Sequence, residues 1–170
     1  MMRLKAFRKI LVPTDYSELS LAALDYARSF SEVFGAQIYL LHTLDTIPVL
    51  ALDTMDLTTE TVIYETEKNA KSDLHHFVIT RIGTVPNLIE VVRRGIAEDQ
   101  IVQFTREEGI DLIVMATHGR SGIAHVLLGS VAEKVVQHSL VPVLTVKPIH
   151  VRKSKLSSDN LKGQAEPANP

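Results

Sequence analysis

The feature of this sequence that most constrains its fold is the alternation of short apolar runs with longer amphipathic stretches. Five such runs are present, at Ile10–Val12, Gln37–His42, Leu88–Val92, Asp111–Ala116 and Val141–Val146. Short apolar runs without clean apolar–polar alternation are typical of strands that are buried on both faces. The sequence therefore predicts five strands of a parallel sheet.

The stretches between these runs are predicted to be helices. In the first stretch, apolar residues from Ala23 to Phe34 recur every three or four positions, and Gly35 stands where a helix commonly ends. Three further helices are predicted at about Thr59–Arg81, from Ala97 to Gly109, and from Ser130 onward. Strands and helices that alternate in this way form a parallel sheet with right-handed crossovers and helices on both faces. We therefore expect a doubly wound α/β fold.

The length of 170 residues predicts one domain with a short tail. We place the domain at residues 1–148. Residues 149–170 are polar and rich in Lys, Ser, Asn and Pro, and we interpret them as a disordered tail. The long connection Thr43–Thr58 is predicted either to be mobile or to pack over a site.

The composition excludes several classes of function. Without cysteine the chain has no disulfide, no thiolate chemistry and no cysteine-ligated zinc. A formal net charge of −2 and an aromatic content of 5% argue against binding to nucleic acid or to an anionic membrane. The sequence shows neither the apolar core of a signal peptide nor the about 20 apolar residues of a membrane span. We therefore expect a cytoplasmic protein.

The loop after the fourth run is the strongest candidate for a ligand site, because open α/β sheets bind ligands beyond the carboxyl ends of their strands. It reads ATHGRSGIAHVLLGS from Ala116 to Ser130. Gly119 and Gly122 can turn amide N–H groups into a common concavity, and Gly129–Ser130 opens a helix whose unpaired N–H groups attract an anion. The pattern indicates a phosphate-binding loop, and its other interpretation is a turn followed by a helix start.

The histidines and the arginine of this region have less defined roles. His118 either touches a phosphate or packs, and Arg120 is explained more readily as a solvated loop charge than as a phosphate clamp. His75 and His76 are adjacent and face apart on a helix, and no carboxylate lies between His118 and His125. We therefore expect no metal site that is built by protein side chains.

The segment Pro13–Glu18 follows the first run and meets the same edge of the sheet. Asp15 or Ser17 is predicted to cap the first helix. Asp15 could in addition accept an amine or hydroxyl of a ligand, or help to hold a metal ion. The chain has no GxxxxGK[ST] P-loop and no GxGxxG after the first strand, so those two phosphate-binding motifs are excluded.

Five segments together resemble the universal stress protein family. They are FRKILVPTDYSE, YLLHTL, DLIVMATHGRSG, LLGSVAEKVV and PVLTVK, in this order, and they cover most of Phe7–Lys147. The resemblance implies a five-stranded parallel sheet with strand order 3-2-1-4-5 and a homodimer that pairs its fifth strands, Val141–Val146. An exposed sheet edge gives a physical reason for that pairing. The resemblance also implies a role in stress endurance through binding of ATP or AMP.

The ATP-binding branch of that family has the motif G-x2-G-x9-G-[ST]. Gly119, Gly129 and Ser130 match it, and Ala116 replaces the first glycine. Alanine keeps the N–H, so a backbone contact would survive there unless φ is positive or the ligand packs against Cα.

The resemblance also implies a set of ligand-binding residues. The adenine and ribose would lie against Pro13, Thr14, Asp15 and the backbone of Thr43. The phosphates would bind at Gly119, Gly122, Gly129 and Ser130, with Mg²⁺ or Mn²⁺ bridging them. Ala116, His118, Arg120 and Val131 complete the predicted nucleotide-binding set.

The sequence is compatible with three functions. The first is a regulatory or protective homodimer that depends on an adenine nucleotide. The second is a dimeric stress protein that binds no nucleotide and acts through protein contacts, and Ala116 favours it. The third is an enzyme, either a slow ATPase or an adenylate-forming ligase. Such ligases have an SGGxDS-type loop where this chain has PTDYSE, and Asp15 is the one evident candidate to position a water. We expect no enzyme, or at most a slow ATPase.

Overall fold

The computed structural model of the chain describes residues 6–45, 59–117 and 128–147. Its strands are β1 (Lys9–Pro13), β2 (Gln37–Leu44), β3 (Leu88–Arg94), β4 (Leu112–Ala116) and β5 (Val143–Val146). Its helices are α1 (Glu18–Phe34), α2 (Thr59–Phe77), α3 (Ala97–Glu108) and α4 (Ser130–His138). The predicted tail at 149–170 and most of the 43–58 connection lie outside the described residues.

The five strands form one parallel sheet in the order β3-β2-β1-β4-β5. This confirms the predicted fold class and strand order. The chain adds strands on one side from β1 to β3 and then returns to add β4 and β5 on the other side. The strand order therefore reverses between β1 and β4, and the crevice beyond their carboxyl ends is where a fold of this kind holds a ligand.

Alternate side chains of the strands lie in two separate cores, one on each face of the sheet. Ile10 and Val12 of β1 pack with residues of α1 and α2, and Leu11 between them packs with residues of α3 and α4. All three side chains have no solvent exposure. The sheet is therefore buried on both faces, which explains why its strands read as continuous apolar runs.

The helix ends follow the sequence signals closely. Gly35 and Gly109 adopt the left-handed conformation at the ends of α1 and α3, as a glycine after a helix commonly does. α2 continues into a π-helical turn, Val78–Ile82, which ends where the Gly83 N–H donates to the Val78 carbonyl at 2.8 Å. None of the described helices combines the length and the apolar character that a bilayer crossing requires.

β2 runs two residues beyond its predicted end at His42. Thr43 and Leu44 continue to pair with Arg93 and Arg94 of β3, so the strand persists although its side chains leave the buried core. The predicted connection from Thr43 therefore begins later than expected, and Thr43 is a strand residue at the edge of the crevice.

β5 begins at Val143, and the predicted start at Val141 is wrong. The Val141 N–H donates to Ser139 Oγ at 3.2 Å and closes a turn. Pro142 has no N–H to donate to a ladder. The strand that remains is four residues long and pairs with β4 at the edge of the sheet.

Candidate functional site

A cavity of about 220 Å³ lies at the carboxyl ends of β1 and β4. Eight of the residues predicted to bind nucleotide line it: Pro13, Thr14, Asp15, Thr43, Ala116, Gly129, Ser130 and Val131. The other four, His118, Gly119, Arg120 and Gly122, lie outside the described residues. The structure thus brings together two segments that are about 100 positions apart in the sequence.

Seven further residues line this cavity and were not predicted from the sequence: Ser20, Leu41, Ala97, Ile101, Met115, Thr117 and Ala132. Most have apolar side chains, which carry no chemistry that a sequence motif would mark. Leu41 reaches the cavity because β2 lies beside β1, and Ala97 and Ile101 reach it because α3 begins over the same crevice. These residues could be placed at the cavity only from the arrangement of strands and helices, and not from a sequence motif.

A larger hollow of about 580 Å³ lies between α3 and α4. Its lining consists mainly of charged and polar side chains, namely Glu98, Asp99, Val102, Gln103, Arg106, Glu107 and His138. No strand residue contributes to it. The smaller cavity is the candidate functional site, because it lies at the reversal of strand order and combines apolar walls with polar groups.

The loop after β1 is held by hydrogen bonds to β2 and to the first turn of α1. Thr14 donates its N–H to the Leu41 carbonyl at 2.8 Å, and its Oγ1 lies 2.9 Å from Ser20 Oγ. Ser17 is the N-cap of α1, since its Oγ accepts the Ser20 N–H at 3.2 Å. Of the two caps that the sequence allowed, the structure uses Ser17.

Asp15 does not cap α1 but closes a turn within this loop. Its Oδ1 accepts the Ser17 N–H at 3.1 Å, which closes a turn of the kind that Asp side chains favour. The residue is half-buried and lines the cavity. Asp15 is therefore fixed at the cavity wall by the residue that caps α1.

The N-terminus of α4 forms the opposite wall. Its N-cap is Gly129, and no side chain among the described residues caps this end. The Gly129 N–H is already used, because it donates to the Thr117 carbonyl at 2.7 Å. The amides that an anion could contact therefore begin with Ser130, Val131 and Ala132, whose N–H groups have no acceptor within the helix. All three residues line the cavity, and the helix end adds about half a positive charge there.

The described part of the site contains no metal-binding cluster of the usual kind. Within residues 6–45, 59–117 and 128–147, no three His, Asp or Glu side chains come together so that they could hold an ion.

Comparison with known proteins decides the family. The family model described as "Universal stress protein family" matches residues 6–147. Universal stress protein MJ0577 of Methanocaldococcus jannaschii is 30% identical over 154 residues, which cover 83% of this chain and 95% of that protein. Universal stress protein MJ0531 of the same organism is 32% identical over 144 residues, with 83% and 82% covered. The chain belongs to the universal stress protein family.

Solved structures of other universal stress proteins share the fold. The structure of MJ0577 matches this one with a TM-score of 0.70 at 29% identity. The match covers 85% of this chain and 98% of the MJ0577 chain. A universal stress protein solved in complex with cAMP has a TM-score of 0.55 at 27% identity, with 84% and 98% covered. The family assignment therefore rests on sequence and on structure alike.

Ala116 of this universal stress protein is the last residue of β4. It pairs with Val146 of β5, and the positive-φ residues of the described chain do not include it. Alanine is therefore unstrained at this position. Ala116 is one of the residues that line the cavity, and the cavity still has a volume of about 220 Å³ with alanine at this position.

An ion pair joins the two helices whose first turns line the cavity. Lys134 of α4 donates to Glu98 in the first turn of α3, and the Glu98 side chain is only 13% exposed. This hydrogen bond lowers the pKa of the Glu98 carboxyl and raises the pKa of Lys134. The pair therefore favours the arrangement that holds both helix starts at the site.

Proposed function

We propose that this universal stress protein binds ATP or AMP in the cavity between β1 and β4 and acts as a nucleotide-dependent regulatory or protective homodimer in the cytoplasm. The observation that carries the proposal is the uncapped end of α4. Three amides, those of Ser130, Val131 and Ala132, line the same cavity as Asp15 and Thr43. A helix end without a side-chain cap favours a phosphate group.

In this proposal each wall of the cavity contacts a different part of the nucleotide. The adenine and ribose lie against Pro13, Thr14, Asp15 and the backbone of Thr43, with the apolar side chains of Leu41 and Met115 nearby. The phosphates bind at the start of α4, where Ser130 is exposed and can add its hydroxyl. Mg²⁺ or Mn²⁺ is held through phosphate oxygens. His118, Gly119, Arg120 and Gly122, predicted from the sequence, would complete the phosphate side.

A relative supports the choice of an adenine nucleotide. The universal stress protein that was solved with cAMP covers 84% of this chain at 27% identity. That ligand has an adenine, a ribose and a phosphate, which are the three groups that the present proposal places in the cavity.

The proposed homodimer uses β5. This strand lies at the edge of the sheet, and a strand at an edge has a row of backbone groups that a second chain can pair with. Leu140, just before the strand, has 79% of its surface exposed, and Val136 has 45%. Apolar side chains beside an open edge favour association of two copies.

Calorimetry tests the binding. ATP with Mg²⁺ is titrated into the full-length chain, and adenosine serves as the control that lacks phosphates. We expect affinity on the order of micromolar for ATP, as for a handful of charge-assisted hydrogen bonds less the loss of freedom on binding, and much weaker binding of adenosine. No heat with millimolar ATP would overturn the proposal. Mass spectrometry of the ligand released from the purified protein would then identify any other occupant.

A second candidate is a stress protein that acts through protein contacts and binds no nucleotide. Two observations favour it: alanine stands at position 116, and the Gly129 N–H is already bonded to Thr117. The variant Ala116→Gly discriminates between the two. Binding that appears only in this variant establishes the second candidate, and equal binding by both proteins removes it.

We propose that the chain has at most slow ATPase activity. Asp15 is the only evident group to position a water among the described lining residues, and one of its oxygens already accepts the Ser17 N–H. Phosphate release that is no faster in the wild type than in Asp15→Ala would exclude even that activity.

A further inference from the structure

Tyr16, the residue between Asp15 and the cap of α1, has an unusual backbone conformation. Its φ is +66°, and the other non-glycine residue with positive φ in the described chain is Asn87. Asparagine adopts this region several times more often than most residues, whereas a bulky aromatic residue rarely does. Such a conformation persists only where the surrounding structure enforces it, and it occurs preferentially at functional sites.

Two other rings enforce this conformation. The Tyr16 ring centroid lies 4.3 Å from that of His42 on β2 at an interplanar angle of 30°, and 5.0 Å from that of Phe77 at the end of α2 at 64°. We call Tyr16, His42 and Phe77 the aromatic cluster. Ring pairs at such separations attract each other, so the cluster stabilises the Tyr16 side chain in the place that its positive φ gives it.

His42 holds the same loop at a second point. Its Nδ1 lies 2.9 Å from the Thr14 carbonyl oxygen. A carbonyl can only accept a hydrogen bond, so Nδ1 carries the proton and donates it. One imidazole therefore contacts the residue before Asp15 through a hydrogen bond and the residue after Asp15 through its ring.

We infer that Tyr16 and His42 are positioning residues for the proposed nucleotide site. They hold Thr14 and Tyr16 in place, and Asp15 between them is thereby kept at the cavity wall, where Thr14 and Asp15 contact the adenine and ribose. Neither Tyr16 nor His42 is among the residues that line the cavity, so both act through their neighbours. The inference rests on the proposed function for its ligand, and on the described contacts for its geometry.

Matched variants separate positioning from mere stability. Tyr16→Gly permits the positive φ and removes the ring, and Asn87→Gly makes the same backbone change outside the cavity lining. His42→Leu removes the donor and the ring, and His42→Asn restores a donor of similar reach. ATP affinity is measured by calorimetry well below the melting temperature of each variant. We expect Tyr16→Gly and His42→Leu to bind about five- to tenfold more weakly, Asn87→Gly to bind like the wild type, and His42→Asn to recover part of the loss.

A measurement without ligand keeps the two proposals distinguishable. Hydrogen exchange of the segment 13–20 is compared between the wild type and Tyr16→Gly. In the wild type the amides of residues 16, 17 and 20 are protected by hydrogen bonds, and we expect faster exchange in the variant because the loss of the ring loosens these bonds. If the wild type binds ATP and all variants bind it equally, the inference is wrong and the proposed function stands. If the wild type binds no adenine nucleotide, the proposed function is wrong, and unchanged exchange in Tyr16→Gly would overturn the cluster's role in the loop as well.

Discussion

The two walls of the cavity satisfy their polar groups in opposite ways. In the loop after β1, Thr14 and Ser17 bond to neighbouring residues, and the start of α1 is capped by a serine. At the start of α4 the cap position holds a glycine, and the first-turn amides of Ser130 and Val131 have no acceptor within the helix. The first wall thus bonds its Thr14 and Ser17 groups to neighbouring residues, whereas the first-turn amides of the second wall have no partner within their own helix.

The different bonding of the two walls indicates which of them should contribute most of the binding energy for a phosphate-bearing ligand. A glycine at a helix start leaves the first-turn amides to water or to a ligand, although serine, aspartate or asparagine are the residues that usually close such an end. The loop after β1 supplies shape, since its groups are already paired. We therefore expect changes at the start of α4 to have the largest effects on affinity, and loss of the α1 cap at Ser17 to act mainly on stability.

The largest effect is expected from making the second wall resemble the first. Gly129→Asp introduces a carboxylate that can cap α4. This carboxylate would occupy the place of a phosphate group and repel it, since both are negatively charged. ATP affinity should fall by at least about a hundredfold, while the free energy of unfolding of the ligand-free protein rises by a few tenths of a kcal/mol. Calorimetry and urea denaturation measure the two quantities. Gly129→Ala is the control, since alanine adds no cap, and wild-type affinity in Gly129→Asp would contradict the comparison.

A smaller effect is expected from removing one amide. Ser130 is the first helical residue, where proline is tolerated, and Gly129 before it has an extended ψ of 158° that proline accepts. Ser130→Pro should weaken ATP binding about ten- to a hundredfold, as for one charge-assisted hydrogen bond, with little loss of stability.

Ser130→Ala separates the amide from the hydroxyl. It keeps the N–H and loses only the Oγ, so its affinity should lie between those of the wild type and Ser130→Pro. Equal affinity of Ser130→Pro and Ser130→Ala would show that the backbone makes no contact with the phosphates.

At the first wall we expect a loss of stability. Ser17→Ala removes the cap of α1 and should lower the free energy of unfolding by about 1 kcal/mol, as measured by urea denaturation. Ser29→Ala is the matched control, because Ser29 is exposed and bonds only within α1. A loss in Ser29→Ala as large as that in Ser17→Ala would show that the cap has no special role.

The smallest effect is expected at the ion pair between α3 and α4. The pKa of Glu98 is lowered in the folded chain by the bond from Lys134, so its contribution to stability is present above the ordinary glutamate pKa. That contribution is lost as the pH falls through the lowered value. Glu98→Gln should therefore be slightly less stable than the wild type at neutral pH and equal to it in strong acid, where Glu98 is protonated in both states.

Denaturation curves at several pH values measure this convergence. Glu65→Gln, at an exposed position of α2, serves as the control for the loss of one carboxylate. A difference between Glu98→Gln and the wild type that persists in strong acid would show that the ion pair is not its cause.

Much of the fold could be predicted because burial on both faces leaves a strong trace in the sequence. The apolar runs mark all five strands, and Gly35 and Gly109 mark helix ends. The start of β5 could not be predicted from apolarity alone, because Val141 is as apolar as its neighbours although it bonds to Ser139 and precedes a proline. The strand order came from the resemblance to the family.

The site could be predicted only in part, because sequence motifs record chemistry better than geometry. Asp15 closely follows β1, and Ser130 follows a glycine at the start of a helix, so a pattern could find both residues. The positive φ of Tyr16 has no signal, since tyrosine is among the residues least expected there. The use of the Gly129 N–H within the fold likewise depends on the position of Thr117 and is invisible in the sequence.

The claim that α4 holds the phosphates is tested most directly by following its amides. Proton–nitrogen NMR spectra of the labelled chain are recorded during separate titrations with ATP, AMP and adenosine. We expect the amide signals of Ser130, Val131 and Ala132 to shift with ATP and AMP and to stay in place with adenosine. Signals of these three amides that do not respond to either nucleotide, while the nucleotide binds elsewhere or not at all, would contradict it.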